Sequence, residues 1–339
     1  NGGTIDLGVG TLRSNTATND GGVIYGAPGA EVNIDKDAED RTSTIGGSSD
    51  TDGNTALRRA AVFATSAEEL SFKEGLISHN EATGEGGGGI YCESCYLFWI
   101  NGVLDQNYAG KTKIAHGAGV YLATDAALGM QGGEIKNNQV TFGDSGGIYV
   151  DSNNSSDIYI RKDVSASSTH GPYITGNQAP NYGAINFAGT GNLIIGGTNN
   201  GAFQTTSAVQ ITGNQATAAT GVAGGVFLGA SSGTLQLYDG INIQGNTQGV
   251  TSAKSNLYVE SPSTNYPQVK SQLVKSGDSL KIGVYSAFYK AGEKFAENKI
   301  GVNSNAESLI NADIFTNDRN DALYGVQDTT TVSTVKWNN

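Results

Sequence analysis

The amino-acid sequence predicts an all-β fold: a right-handed parallel β-helix with a β-rich cap at its C-terminal end. Three observations lead to this prediction: two linked motifs recur along the chain, the apolar residues within them alternate, and the composition favours strands and turns. Glycine supplies 49 of the 339 residues, proline only five, and charged residues 15%. A glycine-rich, proline-poor chain with many asparagines and β-branched residues is typical of short strands joined by tight turns.

The first motif is an eleven-residue frame that starts at an apolar residue and ends at an asparagine. Its clearest copies span residues 70–80, 97–107 and 128–138, and looser copies end at Asn15, Asn177, Asn214 and Asn246. Apolar side chains alternate within the frame, which is the period of a strand with one buried face. The final asparagine suits a sharp corner, because it tolerates left-handed backbone angles and its amide can bond along a stack.

The second motif is a glycine pair, or two glycines around one residue, followed by an aliphatic and usually an aromatic residue. Its copies begin at Gly21, Gly88, Gly117, Gly146 and Gly224, and a weaker copy with a single glycine begins at Gly183. Together the motifs define a unit of about 30 residues, which is too small to bury its own apolar side. Stacked coils of a parallel β-helix bury one another, and a right-handed coil is the default for parallel crossovers. The glycines give a second corner without Cβ clashes.

These two motifs, Gly-Gly-Ile/Val and aliphatic-x-x-Asn, resemble the repeat of the chlamydial polymorphic membrane proteins. They also resemble adhesin-type β-helix repeats of many bacterial surface proteins. The resemblance covers roughly residues 10–25 and 70–260. In the chlamydial family the motif that ends in Asn usually begins with Phe, a form found here only at residues 295–298. The resemblance implies a secreted or surface-displayed bacterial β-helix that acts as an adhesin.

Two regions depart from the repeat. Residues 1–260 are expected to form the β-helix with an insertion at about residues 26–69, and residues 261–339 to form the last coils and the cap. A cap is expected because an uncovered last coil exposes apolar interior and strand edges. The insertion carries Asp35, Asp37 and Asp40, whose oxygens suit calcium, but their spacing matches no known calcium loop. The sequence favours a solvated loop, and we predict no metal or cofactor site.

Alignment of the second motif gives an aromatic column that is expected to face outward. Six aromatic residues are candidate ligand-binding residues: Tyr91, Tyr96, Phe98, Tyr121, Tyr149 and Phe227. Of these, Tyr96 and Phe98 lie outside the column and enlarge it locally. Two interpretations stay open: stacked aromatics stabilise the sheet, or the stripe binds a glycan or a protein.

The stretch Gly88–Ile100 is one rung of the repeat. Cys92 and Trp99 fall in aligned columns of apolar residues, so both are expected to point into the core. A zinc site would need four ligands, and a thioredoxin-type site would open a helix. A turn disulfide between Cys92 and Cys95 and two free thiols are the remaining alternatives.

Charge and hydropathy limit the partners. A net charge of −12 argues against nucleic acid and against anionic membrane surfaces. No apolar run approaches the roughly 20 residues of a membrane helix, so no membrane insertion is expected in this segment. The first residues do not resemble a signal peptide, so either a signal was removed or the chain is a fragment that continues into further repeats. We expect an extracellular or cell-surface location.

The expected partner is a glycan or protein of a host or neighbouring cell, bound without catalysis. The main alternative is a polysaccharide lyase or glycoside hydrolase, because parallel β-helices also carry such enzymes. Glycoside hydrolysis needs two carboxylates at one cleft. His116 and His170 lack the Gly-His-Gly context of those enzymes, and the basic pair Arg161–Lys162 is isolated. We therefore predict no catalytic residues.

Overall fold

The computed structural model describes residues 2–59, 61–162, 170–198, 208–261, 265–271, 281–286, 291, 294–298, 314–319, 324–327 and 334–338. These residues form strands, turns and loops without a helix, so no helix among them could cross a lipid bilayer. The chain winds as a parallel β-helix, and each of its first eight coils contributes one strand to each of four sheets. The predicted all-β solenoid is confirmed.

The strands of each sheet follow one another at intervals of one coil. Sheet 1 contains Thr4–Leu7, Glu31–Ile34, Glu69–Phe72, Tyr96–Trp99, Ala127–Met130, Ile158–Lys162, Asn192–Thr198, Thr234–Leu237, Gln268–Val269 and Lys294–Asn298. Sheet 2 contains Gly10–Leu12, Ser43–Gly46, Leu76–Ser78, Val103–Asp105, Glu134–Lys136, Tyr173–Thr175, Val209–Thr212 and Ile241–Gln244.

Sheets 3 and 4 complete each coil. Sheet 3 contains Thr16–Asp20, Thr55–Arg58, Glu81–Ala82, Tyr108–Ala109, Gln139–Val140, Gln178–Ala179, Gln215–Ala216, Thr247–Gln248 and the antiparallel Ala253–Lys254. Sheet 4 contains Ile24–Gly26, Val62–Thr65, Ile90–Glu93, Val120–Leu122, Ile148–Val150, Ile185–Phe187, Val226–Leu228, Leu257–Val259, Ile282–Ser286 and Phe315–Asn317. A separate two-stranded pair joins Ala115–His116 to Gly143–Asp144.

One continuous apolar core runs through the stack, between sheets 1, 2 and 4. Parallel strands pair in register, so that residues of one alignment column lie directly above one another. In sheet 1 such a column contains Leu70, Leu97, Leu128, Ile158, Leu193 and Leu235. Trp99 and Cys92 are fully buried in this core, as their columns predict.

The asparagines that end the frame form a continuous hydrogen-bonded ladder along the solenoid. Its members are Asn15, Asn54, Asn80, Asn107, Asn138, Asn177, Asn214, Asn246 and Asn256. Each donates its backbone N–H and its Nδ2–H to the Oδ1 of the next member. Asn107, for example, donates to Asn138 Oδ1 at 2.9 and 3.0 Å. The last asparagine, Asn256, donates its backbone N–H to Asp318 Oδ2 at 2.7 Å and its Nδ2–H to Asp318 Oδ1 at 2.8 Å.

At most corners of the ladder, the left-handed residue is the one before the asparagine. We expected the asparagine itself to take the left-handed angle, but none of the ladder asparagines has a positive φ. The preceding residue has one instead, at 57° in His79, 53° in Gln106 and 67° in Gly213. The asparagine is therefore required for its side chain, and the corner strain falls on its neighbour.

The glycine pairs make the other corner possible through close packing, as predicted. A Cβ on Gly147 would lie 2.4 Å from the carbonyl oxygen of Ala184 in the next coil. Because a real Cβ cannot approach a carbonyl oxygen so closely, a larger residue would push adjacent coils apart.

Residues 26–69, where we expected an insertion, contribute four strands and complete the second coil: Glu31–Ile34, Ser43–Gly46, Thr55–Arg58 and Val62–Thr65. The polar residues 35–42 and 47–54 are the loops between these strands. The second of these loops places Ile45 farther from the ladder residue Asn54 than in the other coils. The repeat is therefore not recognisable in the sequence of this coil.

Beyond residue 261 the described strands first continue the parallel stack and then reverse. Strand Thr334–Asn338 pairs antiparallel with Lys294–Asn298 and with Tyr324–Gln327. The indole of Trp337 stacks on Phe295 with ring centroids 4.0 Å apart, and both rings are buried. Within the expected cap, residues 262–264, 272–280, 287–290, 292–293, 299–313, 320–323, 328–333 and 339 lie outside the described part of the chain.

Candidate functional site

The aromatic column lies on the outer face of sheet 4. Its first five rings belong to Tyr25, Phe63, Tyr91, Tyr121 and Tyr149, and successive ring centroids are 5.1, 5.5, 4.7 and 4.9 Å apart. The sequence alignment missed Phe63, because it falls within the supposed insertion. We call the rings of this column the aromatic stack.

The stack is interrupted at Asn186, which is buried between Tyr149 and Phe227 in register. Tyr182, from the preceding corner, places its ring 4.5 Å from that of Phe227. The stack then continues through Tyr258 and Tyr285, at 5.8 and 5.1 Å.

The rings of the aromatic stack cover one another. Tyr91 and Phe227 are only 9% and 8% exposed, and the Arg59 guanidinium lies 4.3 Å from the centroid of Tyr91. Burial raises the pKa of Tyr149 to about 12. Burial also raises the pKa of Tyr121, whose hydroxyl donates to Asp151 Oδ2 at 2.6 Å. These contacts leave little ring surface for a ligand on Tyr91 or Phe227.

A small cavity of about 220 Å³ lies beside the stack, lined by Arg59, Glu85, Gly86, Tyr91, Ile114, His116 and Tyr121. His116 stacks on Tyr149 with centroids 4.7 Å apart, and its Nδ1 accepts a hydrogen bond from the backbone N–H of Asp144 at 3.1 Å. The ring contact and the hydrogen bond thus fix the His116 side chain against the next coil.

Tyr96 and Phe98 lie on a different face. The corner at Ser94 and Cys95 turns the chain from sheet 4 to sheet 1, so the two rings are not part of the aromatic stack. Tyr96 is 38% exposed, and its ring centroid lies 6.2 Å from that of Phe98. Both residues project from the outer face of sheet 1.

This outer face carries an open depression, which we call the side groove. It consists of two adjoining cavities of about 620 and 270 Å³. Tyr96, Gly129, Gln131 and Ser155 line the larger cavity, and Asn192, Gly196, Gln236 and Tyr238 line the smaller one. Asp157, Tyr159 and Arg161 line both cavities and form the wall between them.

Three tyrosines cross the side groove on a diagonal. The strand register places Tyr159 two coils after Tyr96, and Tyr238 two coils after Tyr159. Parallel strands lie about 4.8 Å apart, so successive tyrosines are separated by roughly 10 Å along the axis. Gly129 lies between the first two, and a Cβ there would lie 2.4 Å from Tyr96 Oη. The glycine therefore lets the Tyr96 ring extend over the groove floor.

Hydrogen bonds fix the polar wall of the side groove. Asp157 Oδ1 accepts from the backbone N–H and the Nδ2–H of Asn192 at 2.9 and 2.8 Å. The Tyr159 hydroxyl donates to Asp157 Oδ2 at 3.3 Å, and Gln236 donates to Asn192 Oδ1 at 3.2 Å. Burial raises the pKa of Tyr159, and the negative charge of Asp157 raises it further. The Tyr159 hydroxyl is therefore neutral near pH 7. The guanidinium of Arg161 lies 4.7 Å from the centroid of that ring.

The two cysteines are joined in a disulfide across a three-residue separation. Cys95 is buried at the corner between sheets 4 and 1. Of the two alternatives that the sequence left open, the structure contains the turn disulfide.

The acidic loop is closed by its own side chains. Asp37 accepts hydrogen bonds from the backbone N–H groups of Glu39 and Arg41 and from Arg41 Nε at 2.7 Å. The hydrogen bonds with Arg41 lower the pKa of the Asp37 carboxyl. Within the described ranges, no three His, Cys, Asp or Glu residues lie together as metal ligands.

Comparisons with protein-family models, with curated proteins and with solved structures found no match to the chain. The fold is therefore established by the strand pairing alone. The likeness of the motifs to chlamydial and adhesin repeats stays a resemblance of sequence pattern.

Of the residues that line the side groove, the sequence predicted only Tyr96 as a candidate ligand-binding residue. Tyr96 was recognised because aromatic residues follow one another around it. Asp157, Tyr159, Arg161 and Tyr238 project outward at positions that the repeat does not constrain. The usable signal was the glycine at an outward strand position, Gly129, next in register to Phe98.

Proposed function

We propose that this protein is an extracellular or cell-surface β-helix that binds a glycan through the side groove, as an adhesin and without catalysis. The observation that carries the proposal is the diagonal of Tyr96, Tyr159 and Tyr238 over an open groove with fixed polar side chains. The neighbouring coils serve as the rigid stalk that displays this groove.

The chemistry of the groove suits a sugar chain. A pyranose ring has an apolar face of C–H groups, which packs on an aromatic ring, and hydroxyls around its edge, which need donors and acceptors. The tyrosines offer the first kind of contact, and Asn192, Gln236 and Asp157 offer the second. Because strand register and hydrogen bonds hold these groups in place, a ligand would not have to order them on binding.

Two further observations support the location and the absence of catalysis. Disulfides such as Cys92–Cys95 persist mainly in oxidising compartments outside the cytosol. Asp157 is the one carboxylate among the described residues that line the side groove, whereas glycoside hydrolysis uses two.

A glycan array probed with the wild-type chain and with Tyr159→Ala tests the proposal. We expect selective binding to a glycan class and its loss in the variant, because Tyr159 belongs to both cavities. Tyr25→Ala is the matched control, since Tyr25 is an exposed tyrosine at the end of the aromatic stack. Equal binding by all three chains, or no binding to any glycan, would contradict the proposal. Release of shortened oligosaccharides by the wild type would favour the enzyme alternative.

The aromatic stack is tested separately by changing Tyr91, Tyr121 and Tyr149 to serine together. We expect a lower melting temperature and unchanged glycan binding, because these rings pack on each other and lie on another face. Loss of glycan binding in a variant that still folds would move the site to sheet 4.

A further inference from the structure

Arg161 stands apart from other arginines of the chain. Among the described residues it makes no ion pair, and its guanidinium lies against the Tyr159 ring. Four arginines elsewhere each pair with an aspartate: Arg13, Arg41, Arg58 and Arg59. In a chain with 32 acidic and 20 basic residues, a guanidinium without a carboxylate beside an open groove has a vacant set of donors.

The nearest acidic group of the groove is already engaged. Asp157 accepts three hydrogen bonds, two from Asn192 and one from Tyr159. Its oxygens are thus held by the wall, and the Arg161 guanidinium is held against the Tyr159 ring. A planar guanidinium in a fixed position is suited to a ligand carboxylate, which it can bind through two parallel N–H···O bonds.

We propose that the ligand of the side groove is an acidic polysaccharide, and that a uronic acid carboxylate of this polymer pairs with Arg161. This inference rests on the proposed glycan-binding function and adds the chemical class of the sugar. Tyr96 and Tyr238 lie on either side of the Tyr159–Arg161 wall, so a chain that crosses both cavities brings its central sugar to the guanidinium.

The net charge makes this pairing selective. At −12 the chain repels polyanions at long range, so an acidic polymer gains nothing from non-specific attraction. Binding must come from contacts that form only when the sugar rings lie on the tyrosines and the carboxylate meets Arg161.

Titration calorimetry with polygalacturonate and with its methyl ester tests the assignment on the intact chain. Both polymers have the same backbone, and only the acid form has the carboxylate. We expect the acid form to bind on the order of tenfold more tightly, as a charge-assisted pair would give. Equal affinity for acid and ester would overturn the inference and leave the glycan-binding function standing. Absence of binding to either polymer, together with an array without hits, would overturn both.

Arg161→Gln separates the pair from general electrostatics. We expect this variant to bind the acid form and the ester with equal affinity. Arg41→Gln, which removes the same charge from the distant acidic loop, should leave the preference unchanged. If Arg41→Gln has the same effect as Arg161→Gln, the preference comes from net charge and the inference fails.

Arg161→Lys and dextran sulfate test whether binding requires a planar guanidinium on the protein and a carboxylate on the ligand. Lysine keeps the charge but loses the planar pair of donors, so we expect Arg161→Lys to lose most of the preference for polygalacturonate. Binding of dextran sulfate as tight as that of polygalacturonate would show that any oxyanion suffices, and would overturn the uronate assignment.

Discussion

A single ladder asparagine satisfies groups in three consecutive coils. Asn107 donates to Asn138 Oδ1 and to the carbonyl of Ile77, and it accepts from the backbone N–H and the side chain of Asn80. All of these groups are buried, so water cannot replace a lost partner.

Asn107→Ala should therefore lower the free energy of unfolding by about 3 kcal/mol, because it leaves buried groups such as the Asn80 backbone N–H without acceptors or donors. Urea denaturation followed by circular dichroism measures the change. Asn33→Ala is the control, since Asn33 also donates to the neighbouring coil, to Asp6 at 2.8 Å, but at the surface. We expect the control to cost less than about 1 kcal/mol, and equal losses would show that the ladder has no special role.

Where the residue before a ladder asparagine is left-handed, it carries strain unless it is glycine. Gln106 has a φ of 53°, which costs a residue with a Cβ about 1–2 kcal/mol. Gln106→Gly should stabilise the fold by roughly 0.5–1 kcal/mol, after the extra entropy of glycine in the unfolded chain is subtracted.

The reverse change at the same corner of another coil is the matched control. A Cβ on Gly213 would meet its nearest atom at 3.9 Å, so Gly213→Ala tests the backbone angle without a clash. We expect it to lower stability by about 1 kcal/mol. Thermal melts in which both variants move in the same direction would contradict this account of the corner.

At the level of the element, the aromatic stack links stability to alkaline pH. Burial raises the pKa values of Tyr149 and Tyr182 from 10.0 to about 12 in the folded chain. The folded state therefore holds these protons when the unfolded state has lost them. This contribution to stability is complete below about pH 10 and is lost as the pH rises through about 12.

The melting temperature, measured across that range, should fall in the wild type and fall less steeply in a Tyr149→Phe, Tyr182→Phe double variant. Phenylalanine keeps the ring in the stack and removes the titrating hydroxyl. Lysines titrate in the same range in both chains, so the difference between the two curves isolates the tyrosines. Parallel curves would mean that the stack does not bury the hydroxyls.

The elements that could be predicted from sequence are those that the stacking itself requires. Columns such as that of Leu97 repeat because every coil must fill the same core, and the ladder repeats because every amide needs the next one. The second coil escaped prediction, since its loops at residues 35–42 and 47–54 place Ile45 and Asn54 outside the common frame. The length of a loop does not affect the columns of buried residues, so a longer loop leaves no sequence pattern from which it could be predicted.

The side groove could not be predicted for the opposite reason. Outward residues such as Tyr159 and Arg161 are not needed by the neighbouring coils, so no alignment column marks them. Which of them meet depends on the register between coils, which the sequence alone left uncertain. Tyr96 was assigned to the stripe of Tyr91 because the corner between them is only a few residues long.

For the whole molecule, the coil is the unit that can be added or removed. Leu12 and Ile45 are register partners in sheet 2, so deletion of residues 13–45 joins two equivalent positions and removes one coil. We expect the shortened chain to fold with a somewhat lower melting temperature and to keep its glycan binding, because the side groove lies in later coils.

A deletion of residues 13–44 is the control, because it leaves one extra residue at the junction. In a strand, a shift of one residue turns the buried side chains outward. This chain should melt at a clearly lower temperature than the in-register deletion. The same melting temperature for both chains would show that the corner loops absorb such a shift.

The ladder also gives the solenoid a direction. Between ladder side chains, each amide donates to the asparagine of the later coil and accepts from that of the earlier coil. The carboxylate of Asp318 accepts the hydrogen bond from the last amide, but its side chain has no N–H to donate to another residue. The series of amide-to-amide hydrogen bonds therefore ends at a carboxylate. Replacing Asp318 with asparagine would restore a side-chain N–H that can donate a further hydrogen bond.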